Sequence, residues 1–229
     1  MSKIKFLFAC LLISLSTLSI AQPMTDSDKL EIGVLYPQSE QLSEQAATLL
    51  QNNLLQALSL NGISAVDGRY MVLPRFNIVS ETVTETAPAK FVVNIEVSLF
   101  LVDLHSQIIY SQTMIATKGI GNSADQAILA AIRNISSRNS RLKTFIVKGK
   151  EKILEYYNSN AEQLVLRTQA HITRGDYAAA LAEINFVPRA CADLYNKMSE
   201  LLTQIPADQR NCCPNFKSDN TQCWLNQIK

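Results

Sequence analysis

Between Thr117 and Ile132 the chain reads TKGIGNSADQAILAAI, which places Lys118, Gly119, Gly121 and Ser123 directly before apolar residues at helical spacing. Glycines ahead of a helix can cradle an anion, because the first backbone N–H groups of a helix point outward and a nearby cation adds charge. The complete phosphate-loop patterns are missing: there is no G-x-x-x-x-G-K-[ST], and Ala124 stands where G-x-G-x-x-G needs its third glycine. Ser123 with Gln126 three residues on makes a capping box instead, which satisfies donors an anion would use. The segment reads first as a loop that closes a fold. Its second reading is a small-ligand site for a nucleotide or other anion, with Lys118, Gly119, Gly121 and Ser123 as the binding residues.

No other stretch offers a catalytic set. His105 and His171 are the only histidines, and neither a Gly-x-Ser-x-Gly elbow nor a His-Glu-x-x-His pair occurs. The sequence therefore predicts no catalytic residues, no metal and no cofactor, and points away from an enzyme. Between Arg133 and Lys152 a basic run (Arg133, Arg138, Arg141, Lys143, Lys148, Lys150, Lys152) holds a single acid, Glu151. It reads first as the solvated face of one or two helices. Arg138, Arg141, Lys148 and Lys152 can alternatively meet phosphate, an anionic glycan or lipid headgroups, which allows peripheral membrane association. Nucleic acid is set aside, because no aromatic stacking partners accompany the cations.

Lys3 and Lys5 precede an apolar run from Phe6 to Ile20, followed by Ser19-Ile20-Ala21. That is the pattern of a signal peptide over residues 1–21, cut near Ala21. The run is too short to span a bilayer, which takes about 20 residues. After cleavage the net charge is about −1, so no global electrostatic partner is implied. Export also bears on Cys191, Cys212, Cys213 and Cys223, which remain in the mature chain. In an oxidising compartment four cysteines read as disulfide candidates. Adjacent cysteines rarely reach good geometry, so Cys191 is expected to pair with Cys212 or Cys213, and Cys223 with the other. Zinc is disfavoured, since no CxxC pair or nearby histidine is present.

The elements that would position these residues follow from periodicity. LEIGVLYP (30–37) reads as a buried first strand. Leu42, Ala46, Leu49, Leu50, Leu54 and Leu58 mark an amphipathic helix that Gly62 ends in a left-handed cap. A short connection, with room for a minor strand, runs to about Arg75, and period-two patterning begins at Phe76. Val93, Ile95, Val97, Leu99 and Leu101 alternate with polar residues, DLHSQ turns the chain, and IIYSQTMIATKG returns it. Three strands with short joins make an antiparallel meander. A helix with Ala124, Ile128, Ala131, Ile132 and Ile135 inward then closes the unit. Past Asn139 the chain reads as wholly helical, as one long helix through YYNSN or as two.

The prediction is an α+β fold: a three-to-four-stranded, mostly antiparallel sheet packed by two helices over residues 22–138. Residues 139–229 follow as an all-α unit with a cysteine-rich tail. The first strand and its helix, the hairpin LFLVDLHSQIIYSQT and the closing GIGNSADQAILAAI together resemble a bacterial envelope family. Its members include the curli-secretion lipoprotein CsgG and the penicillin-binding-protein activator LpoB, with a looser likeness to the N-terminal domain of TolB. The likeness spans about Leu30 to Arg138. It lacks a lipobox, and His105-Ser106-Gln107 stand at the hairpin turn where the family has Thr-Gly. Farther on, Gly175, Tyr177, Ala180 and Ile184 match the spacing of one tetratricopeptide hairpin. The resemblance implies a periplasmic or secreted protein of a diderm bacterium, a non-enzymatic scaffold. Its partners would be an envelope protein or a cell-wall or outer-membrane assembly.

Overall fold

The structure is a computed structural model and describes residues 30–63 and 69–210. The signal-peptide segment and Cys212, Cys213 and Cys223 lie outside the described residues.

The first strand, β1 (Ile32–Val34), is all buried. It leads to helix α1 (Glu44–Leu60), whose inward face is Ala46, Ala47, Leu50, Leu54, Ala57 and Leu58. Ser43 caps its start by accepting from the Ala46 N–H. Gly62, at φ 71°, ends it as predicted. The Gly62 and Ile63 N–H groups bond back to the Ser59 and Leu58 carbonyls at 3.1 Å each, the pairing that satisfies a helix's last acceptors.

Strands β2 (Tyr70–Val83), β3 (Phe91–Asp103) and β4 (Ile109–Gly121) form the antiparallel meander, and β1 joins β2 in parallel. The sheet order is β1-β2-β3-β4. β2 starts at Tyr70, earlier than the period-two signal at Phe76, because Tyr70, Met71 and Val72 are consecutively buried and leave no alternation to read. In the central strand every second residue from Val93 to Asp103 is buried, while the intervening ones are half-exposed. Among the described residues, the sheet is therefore covered on one face only. Burying a leucine or isoleucine there contributes about 1.5–3 kcal/mol, so this alternation fixes which face turns inward.

Helix α2 (Ala124–Arg133) lies on the covered face, burying Ala127, Ile128, Ala131 and Ile132. Ala127 takes the inward place expected of Ala124, which is only half-buried. The chain beyond Asn139 is helical throughout its described length: α3 (Ser140–Ser159), α4 (Ala161–Thr173), α5 (Tyr177–Asn185), α6 (Ala192–Thr203) and the short α7 (Ala207–Arg210). YYNSN ends α3, and Asn160 serves as both its last cap and the first of α4. α3 packs against the sheet, since Ser111 on β4 donates to the Phe145 carbonyl at 3.0 Å. Its hydrophobic residues join those of the sheet in one continuous core. Gly175, at φ 75°, makes the turn between α4 and α5, and Ala180 is fully buried where α5 meets its neighbours.

Candidate functional site

Gly119 and Gly121 are not in a loop. Both belong to β4, and α2 starts three residues past Gly121. Their role is close approach. A Cβ on Gly119 would sit 1.9 Å from the Ala127 carbonyl oxygen and 2.4 Å from the Ala131 nitrogen. One on Gly121 would sit 2.5 Å from the Ala127 nitrogen. The helix backbone thus rests directly on the strand backbone, in the space where a methyl would be. Ala127 and Ala131 complete the contact because they too are small.

Ser123 caps α2 by accepting from the Gln126 N–H at 3.3 Å. The Gln126 side chain accepts from the Asn122 N–H at 3.1 Å, one residue earlier than the usual reciprocal bond. Lys118 is exposed, and its carbonyl accepts from the Asn134 side chain at 2.8 Å. The four predicted ligand residues are neighbours, but two are covered by α2 and one is occupied in capping. Beside them is an open cleft of about 520 Å³ lined by Lys90, Asn122, Gln126 and Arg133 among others. Lys90 donates to the Asn122 side chain across its mouth.

The basic run lies along the β4 flank. Arg138, Arg141, Lys148 and Lys152 are all exposed. On a helix, Arg141, Lys148 and Lys152 fall within about 40° of one another, so they form one stripe. The Arg141 guanidinium reaches the Met114 carbonyl of β4 at 3.4 Å. Asn134 and Arg141 together occupy two backbone acceptors of this edge strand, which would otherwise be open to pairing.

A buried polar junction was not anticipated from the sequence. Arg69 donates to Asp103 at 2.7 Å, with side chains 6 % and 0 % exposed. The other Asp103 oxygen accepts the His105 and Ser106 N–H groups at 2.8 and 3.1 Å, which ties the β3–β4 turn. Tyr70 donates to the Tyr157 hydroxyl at 2.7 Å, joining β2 to α3. Tyr110 stands edge-on to both Tyr70 and Tyr156. The Arg69 guanidinium also lies 5.1 Å from the Phe186 ring, just past α5. Burial pushes the Tyr70 and Tyr110 hydroxyls well above their ordinary value. Burial likewise pushes Tyr157 up to about 12, against the pull of Arg69 and of the Tyr70 hydrogen bond. These hydroxyls stay protonated at neutral pH, and the cluster acts as an anchor between sheet and helices. The visible signal was Asp103 in the strand–Asp–turn pattern; its ion-pair partner, Arg69, lies 34 residues before it.

His171 lies 3.3 Å from Asp176 at the α4–α5 turn. Among the described residues no group of three His, Cys, Asp or Glu side chains is placed to hold a metal. Cys191 is buried, with its sulfur 3.9 Å from the Leu154 carbonyl, and burial raises its thiol pKa. No helix among the described residues is long and apolar enough to cross a membrane.

No family model matches the chain, and no curated protein does. Similar solved structures are bacterial envelope-type proteins at low identity. A Xanthomonas campestris protein of the DUF330 family is 13% identical, covering 56% of this chain and 91% of its own, with TM-score 0.38. A predicted homologue of neuraminyllactose-binding hemagglutinin from Helicobacter pylori is 15% identical, covering 63% and 95%, with TM-score 0.37. A predicted lipoprotein from Caulobacter crescentus is 17% identical, covering 53% and 83%, with TM-score 0.29.

Proposed function

We propose that this chain is a non-enzymatic exported envelope protein of the CsgG and LpoB class, which holds a protein or glycan assembly by its open sheet face. The observation that supports this reading is the one-sided sheet. Its uncovered face is built from Leu73, Phe100, Val102 and Met114, mixed with Arg75, Glu96 and Lys118, all partly or fully exposed. Phenylalanine, methionine and arginine, all present on this face, are residue types enriched at recognition surfaces. The helical unit, anchored by the Tyr70–Tyr157 hydrogen bond and the Arg69–Phe186 contact, holds that face rigid from behind. Its α4–α5 turn has the tetratricopeptide-like spacing that suits a second contact.

A second reading uses the cleft beside α2, where Lys90 and Arg133 could meet a nucleotide or other anion. Crosslinking and affinity capture from intact envelopes separate the two. Recovery of a defined envelope partner, lost on Phe100→Asp, supports the scaffold. Recovery of the protein alone, with a phosphate-bearing ligand raising its melting temperature, overturns it.

A further inference from the structure

The cleft beside α2 carries a cation at each end and an uncharged middle. At one end stands Lys90, directly before β3 and half-buried. Its N–H donates to the Thr84 hydroxyl and its carbonyl accepts from the Thr84 N–H, each at 2.8 Å, so its backbone is fixed across the β2–β3 hairpin. The Lys90 ammonium donates to the Asn122 side-chain oxygen, and the Gln126 side-chain oxygen accepts from the Asn122 N–H at 3.1 Å. An ammonium and a peptide N–H can only donate, so both amides use their oxygens here. Among the described residues their NH2 groups meet no acceptor. With the remaining ammonium N–H groups they form a set of donors on residues that line the cleft. That is the chemistry that receives an anionic oxygen.

At the other end is Arg133, exposed in the last turn of α2. Gln126 and Arg133 share one face of the helix and lie about two turns, or 10 Å, apart along its axis. Among the described residues neither Lys90 nor Arg133 forms an ion pair, although Glu81 and Glu85 are exposed on the same hairpin as Lys90. Asp125 projects about 100° around the helix axis from Gln126, on the side away from Ala130. Between the cations the walls are Ile120 and Gly121 of β4 and Leu129 and Ala130 of α2, none of them charged. Among the described residues no aromatic ring lines the cleft to stack a base, and no acid lines it to meet a ribose. A nucleotide therefore finds little to hold it. We propose that the cleft binds a linear dicarboxylate, one carboxylate at the Lys90–Asn122–Gln126 end, the other on the planar Arg133 fork, and an aliphatic stretch between them. The cleft's volume of about 520 Å³ suits a small molecule of that kind. This proposal rests on the second reading above, that the cleft binds an anion, and adds the class of ligand.

The test is isothermal titration calorimetry of the full exported chain with suberate, a linear dicarboxylate long enough to reach both cations. Suberate should bind about tenfold tighter than octanoate, which has the same chain and a single carboxylate. It should also bind tighter than succinate, which is too short to span the cleft. Lys90→Gln and Arg133→Gln should each leave circular dichroism unchanged and bind suberate no better than octanoate. That loss of discrimination separates contact with the ligand from an effect on folding. Suberate and octanoate binding alike to the wild-type chain overturns the proposal, as does suberate binding that neither substitution weakens. Inorganic phosphate and ATP form the second arm. If either binds and Arg133→Gln abolishes it, while suberate does not bind, the dicarboxylate is overturned and the cleft stands as an anion site. If none of the probes binds, both the proposal and the reading beneath it are overturned.

Discussion

Gly119 in β4 and Gly175 between α4 and α5 are both glycines a sequence would mark as turns, and they serve opposite physical needs. At Gly119 the limit is space, since a Cβ would lie 1.9 Å from helix backbone. At Gly175 there is nothing within 4 Å, and the limit is the backbone angle, φ 75°. The sheet half is thus closed by contact between two backbones, which cannot give way. The helical half is closed by side chains around a turn exposed to solvent. Between them lies the Arg69–Asp103 and tyrosine junction, which makes the two halves one core.

The comparison breaks most completely at that junction. Asp103→Ala leaves the Arg69 charge buried and unpaired and frees two turn N–H groups; it should cost about 3–5 kcal/mol. In chemical denaturation both halves should lose stability together. If far-ultraviolet and tyrosine signals instead separate into two transitions of unchanged stability, the junction does not couple them.

Next in size is Gly119→Ala, expected to cost about 3 kcal/mol because backbone must move. That corresponds to a melting temperature lower by about 6–12 °C. Gly149→Ala supplies the contrast within one experiment. Its Cβ would lie 2.3 Å from a Leu101 methyl, the movable end of a side chain, so about 1 kcal/mol is expected. Equal losses at the two positions would show that the β4–α2 contact is no tighter than ordinary packing.

Alkaline titration probes the junction more gently. The folded hydroxyls of Tyr70 and Tyr157 ionise above the value of about 10 that tyrosine has in an unfolded chain. The unfolded chain therefore releases these protons first. Stability is full below pH about 10 and falls as pH rises toward about 12. Tyr157→Phe should cost about 1 kcal/mol at neutral pH and flatten that alkaline slope, which denaturation at stepped pH measures.

The smallest effect belongs to Gly175. Gly175→Ala meets no steric contact and should cost about 1 kcal/mol for the left-handed angle, with Gly175→Asn recovering part of it. Thermal melts of the two variants, compared with Gly119→Ala, rank space against angle directly.

Much of this fold was legible because each element's burial has a simple period. The inward set of β3 was read residue by residue, from Val93 to Leu101, and Gly62 and Ser123 announced the ends of their helices. β2 was read short because its first residues are buried in succession. The site was less legible. Lys118, Gly119, Gly121 and Ser123 were found as a group, but a glycine needed for close approach and one needed for a loop look alike in sequence. The basic run is exposed, and its position along an edge strand was not visible in the sequence.

The sequence alone determined the order of elements, their inward faces and the segregation of charge along the chain, because these depend on neighbours within a few residues. Only the tertiary structure decided that α2 touches the β4 backbone, that Arg69 meets Asp103 and that Tyr70 meets Tyr157. Those contacts join residues 34 and 87 positions apart in the hydrogen-bonded pairs. Distance along the chain carries no periodic signal, and only strand pairing and the packing of helix on sheet bring such residues together.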